Sequence, residues 1–397
     1  MKIVYRILIL LAIFCASIYY FGSNMQERVF SSDRKTTQMQ ETTLPVVTVL
    51  TSGGEINLMH GYCSNLDAML FRESITPVDA EKQVEILITE NEYNIKKIIF
   101  EVYDTALGTK LEEGNVISLE RRMLGEREQK SAKLRLKGEY VAGDEYVVKL
   151  TLISNESKRI YYYTRFKLYD NSHLAEKLEF VQMFHDSLID KEKSGNIKKY
   201  LETKKNADEM DFSRADIHNS LDFLSYGELA PRVLYEESPV ITEYTKDTAS
   251  VVLGSWMEID TTTGIEYYYV REKFRFRYTP SRVFLYNYER SMEAIFDRNN
   301  ISLAKNEFKF GITADTKLNV LSNYDNTRIA LVRRGTLYIY TTENNLLTTA
   351  FTFEQKNSDY TRDTYDKHDI RLLSIDDTGA VDFLVYGYMN RGEYEGR

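Results

Sequence analysis

Ile160-Tyr161-Tyr162-Tyr163-Thr164-Arg165-Phe166-Lys167-Leu168, followed after a short polar break by Leu174-Ala175-Glu176-Lys177-Leu178-Glu179-Phe180-Val181, holds the change of period that decides the fold. In the first run Ile160, Tyr162, Thr164, Phe166 and Leu168 alternate with Tyr161, Tyr163, Arg165 and Lys167. Residues two apart share one face of a strand, so this run reads as a strand with one buried face. In the second, Leu174, Leu178, Val181, Phe184 and Leu188 recur at helical spacing and form one apolar stripe. A β body therefore ends near residue 170 and a helical segment begins near 172. Asn171 and Ser172 are placed to cap that helix and Gly195 to end it.

Upstream the same alternation repeats. Val84, Ile86 and Ile88 make one face of a run, Ile98, Phe100 and Val102 another, and Tyr146, Val148, Leu150 and Leu152 a third. About seven such runs separated by Gly- and Asp-rich breaks predict a β-sandwich over residues 44–170. The layout resembles the immunoglobulin-like sandwiches, without their Cys…Trp…Cys framework.

Downstream, a shorter helix is predicted around 197–201. Ser213-Arg214-Ala215-Asp216 has the form of a capping box opening another helix that carries Ile217, Leu221 and Leu224. Strands return at 240–244, 249–259, 265–278 and 283–288. Helices followed by an antiparallel meander over 171–298 resemble the cone-shaped NTF2-like domains in element order. In 299–397, Arg328 to Tyr340 reads as strand, tight turn, strand, with a third strand over 348–353. A second hairpin, 370–375 and 381–386, starts the scheme again at roughly the 40–50-residue period of a propeller blade. This part resembles the opening blades of a β-propeller, and as such an incomplete one. The fold class expected is mainly β and multidomain.

The N-terminus is of a different kind. Lys2 and Arg6 precede a charge-free, largely apolar run from Ile7 to Phe21. Counted from Ile3, it approaches the ~17–25 residues a helix needs to cross the hydrocarbon core. Phe21-Gly22-Ser23 is a poor cleavage site, and Phe14 before Cys15 is unlike a lipoprotein signal. Residues 1–23 therefore read as a transmembrane signal anchor and 24–43 as a polar tether. Positive charge before the apolar run places the body on the extracytoplasmic side of the cell membrane. The whole chain resembles uncharacterised, signal-anchored extracytoplasmic proteins of anaerobic Gram-positive bacteria, a resemblance that implies no activity.

The net charge is −9, from 51 Lys and Arg against 60 Asp and Glu, which argues against a nucleic-acid partner. Of the two cysteines, Cys15 lies in the apolar run, so Cys63 has no intrachain partner and reads as a packed thiol. Phosphate-loop, dinucleotide, nucleophile-elbow and zinc-protease motifs are absent, and no cofactor or metal is predicted. His173 and His185 read as surface residues. Asp376, Asp377, Thr378 and Asp382 read as a hairpin turn rather than a calcium loop. The 30 tyrosines suit strands, although exposed ones would also stack on sugars.

One constellation stands out. Arg271, Lys273, Arg275 and Arg277 share one face of a strand, with Glu272, Phe274, Phe276 and Tyr278 opposite. A row of four cations would grip a polyanion such as a wall polymer or an anionic headgroup, unless acids such as Glu258 or Asp260 pair with it across the sheet. The expectation is a non-catalytic envelope protein, a scaffold, sensor or assembly partner bound to a protein or wall polymer. The alternative is a cell-envelope, glycan-acting enzyme whose carboxylates the sequence does not identify.

Overall fold

The structure, a computed structural model, describes residues 11, 14–15, 40–124, 127–262, 264–295, 311–314, 318–353 and 360–397. The chain is mainly β, multidomain, and built from several antiparallel sheets. Among the described residues no helix is long and apolar enough to cross a membrane. The expected anchor and tether lie outside the described residues, apart from Leu11, Phe14, Cys15 and the stretch from residue 40.

Ten strands form the sandwich. They are β1 (Val46–Thr51), β2 (Gly54–Met59), β3 (Ile75–Val78), β4 (Gln83–Thr89), β5 (Ile95–Asp104), β6 (Lys110–Val116), β7 (Glu120–Leu124), β8 (Arg127–Arg135), β9 (Glu145–Ser154) and β10 (Arg159–Leu168). One sheet has the order β2-β1-β4-β8-β7 and the other β3-β10-β9-β5-β6. The alternating residues read from the sequence meet between them. Ile86, Ile88, Phe100, Val102, Leu150, Leu152 and Phe166 are all buried. A void of about 10 Å³ beside Ile86, Leu150 and Phe166 has room for one water at most. The far face of β9 and β10 is covered too, by the loop that carries Phe71, which stacks on Tyr163 at 4.0 Å. Both Tyr162 and Tyr163 are therefore buried.

The helical stripe is where the spacing put it. Helix α1 (Leu174–Ile189) buries Leu178, Phe180, Val181, Phe184 and Leu188. Its start differs from expectation: the cap is His173, in the left-handed conformation and without a side-chain cap bond, not Asn171 or Ser172. Apolar burial, at about 1.5–3 kcal/mol for a side chain such as Phe184, holds the helix without that help. It ends at Asp190, and Gly195 instead lies inside a 3-10 helix, Ser194–Tyr200. The capping-box reading is overturned: Arg214–Asp216 is strand β11, paired with β16 (Arg282–Ile295). The helix that follows, α2 (Leu221–Leu224), is one turn long and capped by Ser220, whose Oγ accepts from the Phe223 amide. Pairing with a long neighbouring strand outweighs a local cap signal.

Strands β12 (Arg232–Glu236), β13 (Val240–Tyr244), β14 (Thr248–Thr261) and β15 (Gly264–Thr279) complete this sheet, in the order β11-β16-β15-β14-β12 with β13 also on β14. Phe184 packs on Phe274 and Tyr288, and Phe180 on Phe276, so α1 lies against the inner face of the meander. The C-terminal part is a four-stranded meander, β17 (Asn319–Ser322), β18 (Arg328–Arg333), β19 (Thr336–Thr341) and β20 (Leu346–Thr352). A one-turn helix α3 (Tyr360–Asp363) and the hairpin β21 (His368–Ile375), β22 (Val381–Gly387) follow. Within that hairpin Asp376 Oδ1 accepts from the Thr378 amide and hydroxyl and from the Ala380 amide, the bonds of a tight turn.

The modules are sewn together. Asn57 is buried at φ 53° and joins the sandwich to the meander. Its Nδ2 donates to Ile75 O and Thr76 Oγ1, and its Oδ1 accepts from the Ile241 amide at 2.9 Å. The last ten residues return to the sandwich. Glu395 accepts from the amides of Thr43 and Leu44, Gly396 O accepts from the Cys63 amide, and Arg391 pairs with Asp363 in full burial. Cys63 is partly buried, and burial pushes its thiol pKa up.

Asn57→Ala removes three side-chain hydrogen bonds at a left-handed backbone that alanine resists, so it should cost roughly 3 kcal/mol of stability in a denaturant titration. A variant within about 0.5 kcal/mol of the parent would show that this residue is not the joint.

Candidate binding site on the meander sheet

Strand β15 carries the predicted row. Arg271, Lys273, Arg275 and Arg277 are exposed on its outer face, while Glu272, Phe274 and Phe276 between them are buried on the inner one. Neighbouring cations are two residues apart, about 7 Å along the strand. The acids that meet them are not those expected. Glu258 lies opposite Tyr267 and pairs with Arg232 at 2.6 Å, and Asp260 lies opposite Ile265. The register sets Thr248, Ser250, Val252 and Gly254 against the row instead. Arg275 reaches Glu243 at 3.6 Å and Arg277 reaches Asp247 at 3.9 Å, both in exposed pairs of the kind worth about 0–1 kcal/mol. Glu289 is the cross-strand neighbour of Lys273, and its carboxylate accepts from the Asn287 amide. Among the described residues, neither Arg271 nor Lys273 has an ion-pair partner within 4 Å.

The same face continues past Arg271 into an aromatic basin that the sequence did not disclose. Tyr269 is the next outward residue, and its partner on β14 is Trp256, which in turn pairs with Tyr235 of β12. Tyr360, the first residue of α3, lies over them, 4.8 Å from Trp256 and stacked on Tyr235 at 5.4 Å. The Arg334 guanidinium sits 4.9 Å from the Tyr269 ring. Glu237 enters from the loop after β12, and its Oε2 accepts from Tyr269 Oη at 3.4 Å. Burial raises the Glu237 pKa, against hydrogen bonds from Thr364 and Tyr269 and the charges of Arg271 and Arg334. Gly254 makes the space: a Cβ there would lie 2.3 Å from Glu237 Oε2 and 2.7 Å from Tyr269 Oη. Among the described residues, Glu237 Oε1, Trp256 Nε1 and Arg334 Nε are buried without a hydrogen-bond partner.

The inner face holds a second polar group, and it corrects the reading of His185 as a surface residue. His185 is buried in α1 because its ring points with Phe184 toward the sheet, where its Nδ1 meets Glu272 Oε2. Tyr288 donates to Glu272 Oε1 at 2.6 Å. Arg290, also buried, lies 4.1 Å over the Tyr226 ring and donates to Leu224 O. Burial disfavours the imidazolium, but Glu272, with Glu236 and Asp186 behind it, outweighs this and lifts His185 from 6.5 to about 9. Burial also opposes charge on Glu272, and His185, Tyr288 and Arg290 prevail to hold its pKa below the usual value. The group is a buried ionised network, whereas His173 stays half-exposed beside Glu176.

No family model matches the chain, and no curated protein does. Among solved structures, a DUF4785 family protein from Legionella pneumophila subsp. pneumophila str. Philadelphia 1 matches 69% of this chain at 9% identity with a TM-score of 0.16. The match spans about half, 52%, of that protein's length, and at this score it carries no argument about fold or function.

The network sets a pH dependence. A histidine whose folded pKa is raised stabilises fully below about 6.5, and the gain is lost as pH rises through about 9. The Glu272 contribution is present above its unfolded value and fades as pH falls below it. The difference in melting temperature between the parent and His185→Gln should be large at pH 6 and shrink between pH 7 and 10. A constant difference across that range would mean that His185 is not charged in the fold.

Proposed function

We propose that the chain is a non-catalytic protein of the cell envelope, anchored in the membrane by residues 1–23, whose extracytoplasmic body binds an anionic wall polymer over the outer face of β15. The observation that carries this reading is the row Arg271, Lys273, Arg275 and Arg277, set at a regular interval on a long strand paired on both sides. Such a row matches repeating negative charge better than it matches a single small anion. The module order also favours a binding role. The strand order of the two sandwich sheets, with parallel β3 on β10, supports an immunoglobulin-like module. α1 against a long meander supports an NTF2-like one. β17–β20 has the form of a single propeller blade.

The alternative, a glycan-acting enzyme, gains from one observation: Glu237 is a desolvated acid beside aromatic rings, as a general acid would need to be. Binding is preferred because the leading charges acting on Glu237 are the cations Arg271 and Arg334, while the further acid Asp366 acts on Tyr269.

Polyphosphate, as a generic polyanion, should bind the full chain in a salt-sensitive way. Replacing all four cations of the row by Gln should weaken binding about tenfold or more while leaving the melting temperature nearly unchanged, since all four side chains are exposed. Equal affinity in parent and variant would remove the row as the site, and turnover of a wall glycan by the pure protein would favour the enzyme.

The anchor is tested separately. The full chain should stay with membranes through a high-salt, alkaline wash, and a chain starting at residue 24 should be released. Release of the full chain by the wash would defeat the anchor reading.

A further inference from the structure

We infer that the polymer bound on this face is an anionic glycan, one of whose sugar rings stacks on Trp256 and Tyr269 in the place that Tyr360 occupies here. The inference rests on the reading of the cation row given above and adds to it the chemistry of the repeating unit.

The argument begins with continuity. Tyr269, Arg271, Lys273, Arg275 and Arg277 are successive outward residues of one strand, so aromatic basin and charge row form a single track. A ligand lying along it meets flat apolar rings at one end and positive charge over about 20 Å beyond. A lipid headgroup or a bare phosphate chain would use the charges and leave the rings idle. A sugar ring has an apolar face to stack and hydroxyls at its rim.

The second observation is the state of the polar atoms. Buried donors and acceptors are nearly always satisfied, and each exception asks for an explanation. Here three exceptions gather around one spot: the indole N–H of Trp256, which is 6% exposed, Nε of Arg334 and Oε1 of Glu237. Two donors and one acceptor flanking an aromatic floor are what a ring bearing hydroxyls would satisfy. Buried atoms without a partner occur elsewhere too, among them Asn390 Oδ1 and Arg391 Nε at the C-terminal joint, but these three converge on one aromatic floor with both donors and an acceptor.

The third concerns Tyr360. Its ring stacks on Tyr235 and lies against Trp256, but α3 is held at its other end by Arg362 near Glu395 at 3.8 Å and by the buried Asp363–Arg391 pair. The backbone of α3 also stays in place through Thr361, whose hydroxyl lies 2.9 Å from Tyr235 Oη, so rotation of the Tyr360 ring would free the face of Trp256 without detaching α3. Gly254 is the remaining device: without a side chain it leaves Glu237 and Tyr269 room to reach inward beside Arg271.

Trp256 is the single tryptophan of the chain, so its fluorescence reports this basin alone. The full-length chain would be titrated with oligogalacturonate, which carries carboxylates on sugar rings, with phosphomannan, which carries phosphates on sugars, and with polyphosphate, which has no rings. The two glycans together test the class, and their ranking separates a carboxylated from a phosphorylated source. At least one glycan should shift Trp256 emission and bind at least fivefold more tightly than polyphosphate, which should bind without the shift. Gly254→Ala should remove that advantage, so that the glycans bind no better than polyphosphate. Tyr360→Ala, which fills nothing and opens the basin, should raise glycan affinity; it also serves if the glycine variant does not fold. If polyphosphate binds and both glycans bind no better, with Trp256 emission unmoved, the glycan inference is overturned and the charge row stands. If none of the three binds, the row itself is refuted and this inference falls with it.

Discussion

The pleat of β15 is the constraint on which the rest depends. A strand must send successive side chains to opposite faces, so Glu272, Phe274 and Phe276 cannot enter the core unless Arg271, Lys273, Arg275 and Arg277 leave it. One strand thereby sets the packing surface for α1, the acid that charges His185, and the outward row. A register slip of one residue would bury four cations and expose two phenylalanines, which is prohibitive. The long antiparallel pairings to β14 and β16 fix that register on both sides.

Rigidity of that face comes from elsewhere in the chain. Asn57 locks the sandwich to the segment leading into β13, and the meander core is continuous with the sandwich core. The C-terminal residues complete the fastening: Glu395 accepts from the amides of Thr43 and Leu44 just before β1, while Arg362, two residues after Tyr360, lies beside it. The roof of the basin and the first strand of the sandwich are thus held by one group of charges. Asp363 and Arg391 are almost wholly buried, and removing either would leave an uncompensated charge.

Much of this was legible because period is a strong signal. The stripe from Leu174 to Leu188 and the outward set on β15 lie where spacing put them, and the strand at 159–168 does too, although its second face, with Tyr163 and Arg165, is also buried. What failed was local chemistry set against tertiary pairing. Ser213 to Asp216 has the residues of a cap, but β16 offers that segment a strand partner. His185 is one polar residue in an apolar stripe, and spacing alone does not reveal a buried carboxylate 87 residues away. The pairing of Glu258 depended on a register that only the hairpin between β14 and β15 determines. The basin was illegible for a stronger reason. Its rings come from β12, β14, β15 and α3, and no window of sequence contains them.

The charge of the whole chain bears on how such a face works. A chain of net charge −9 repels an anionic polymer at long range, so the row cannot act by steering from a distance. At physiological ionic strength the screening length is about 8 Å, close to the spacing between neighbouring cations of the row, and only the nearest charges count. Within that distance the outer face of β15 presents four cations against Glu243, Asp247 and Glu289, a small positive excess. Charge alone on such a surface gives weak and salt-sensitive attachment. Stacking an apolar ring face on an aromatic ring buries apolar area and is far less sensitive to salt. A track that joins the two would keep the anionic glycan proposed above where charge by itself would let go, and would distinguish a charged sugar from other anions by the ring that charge does not see.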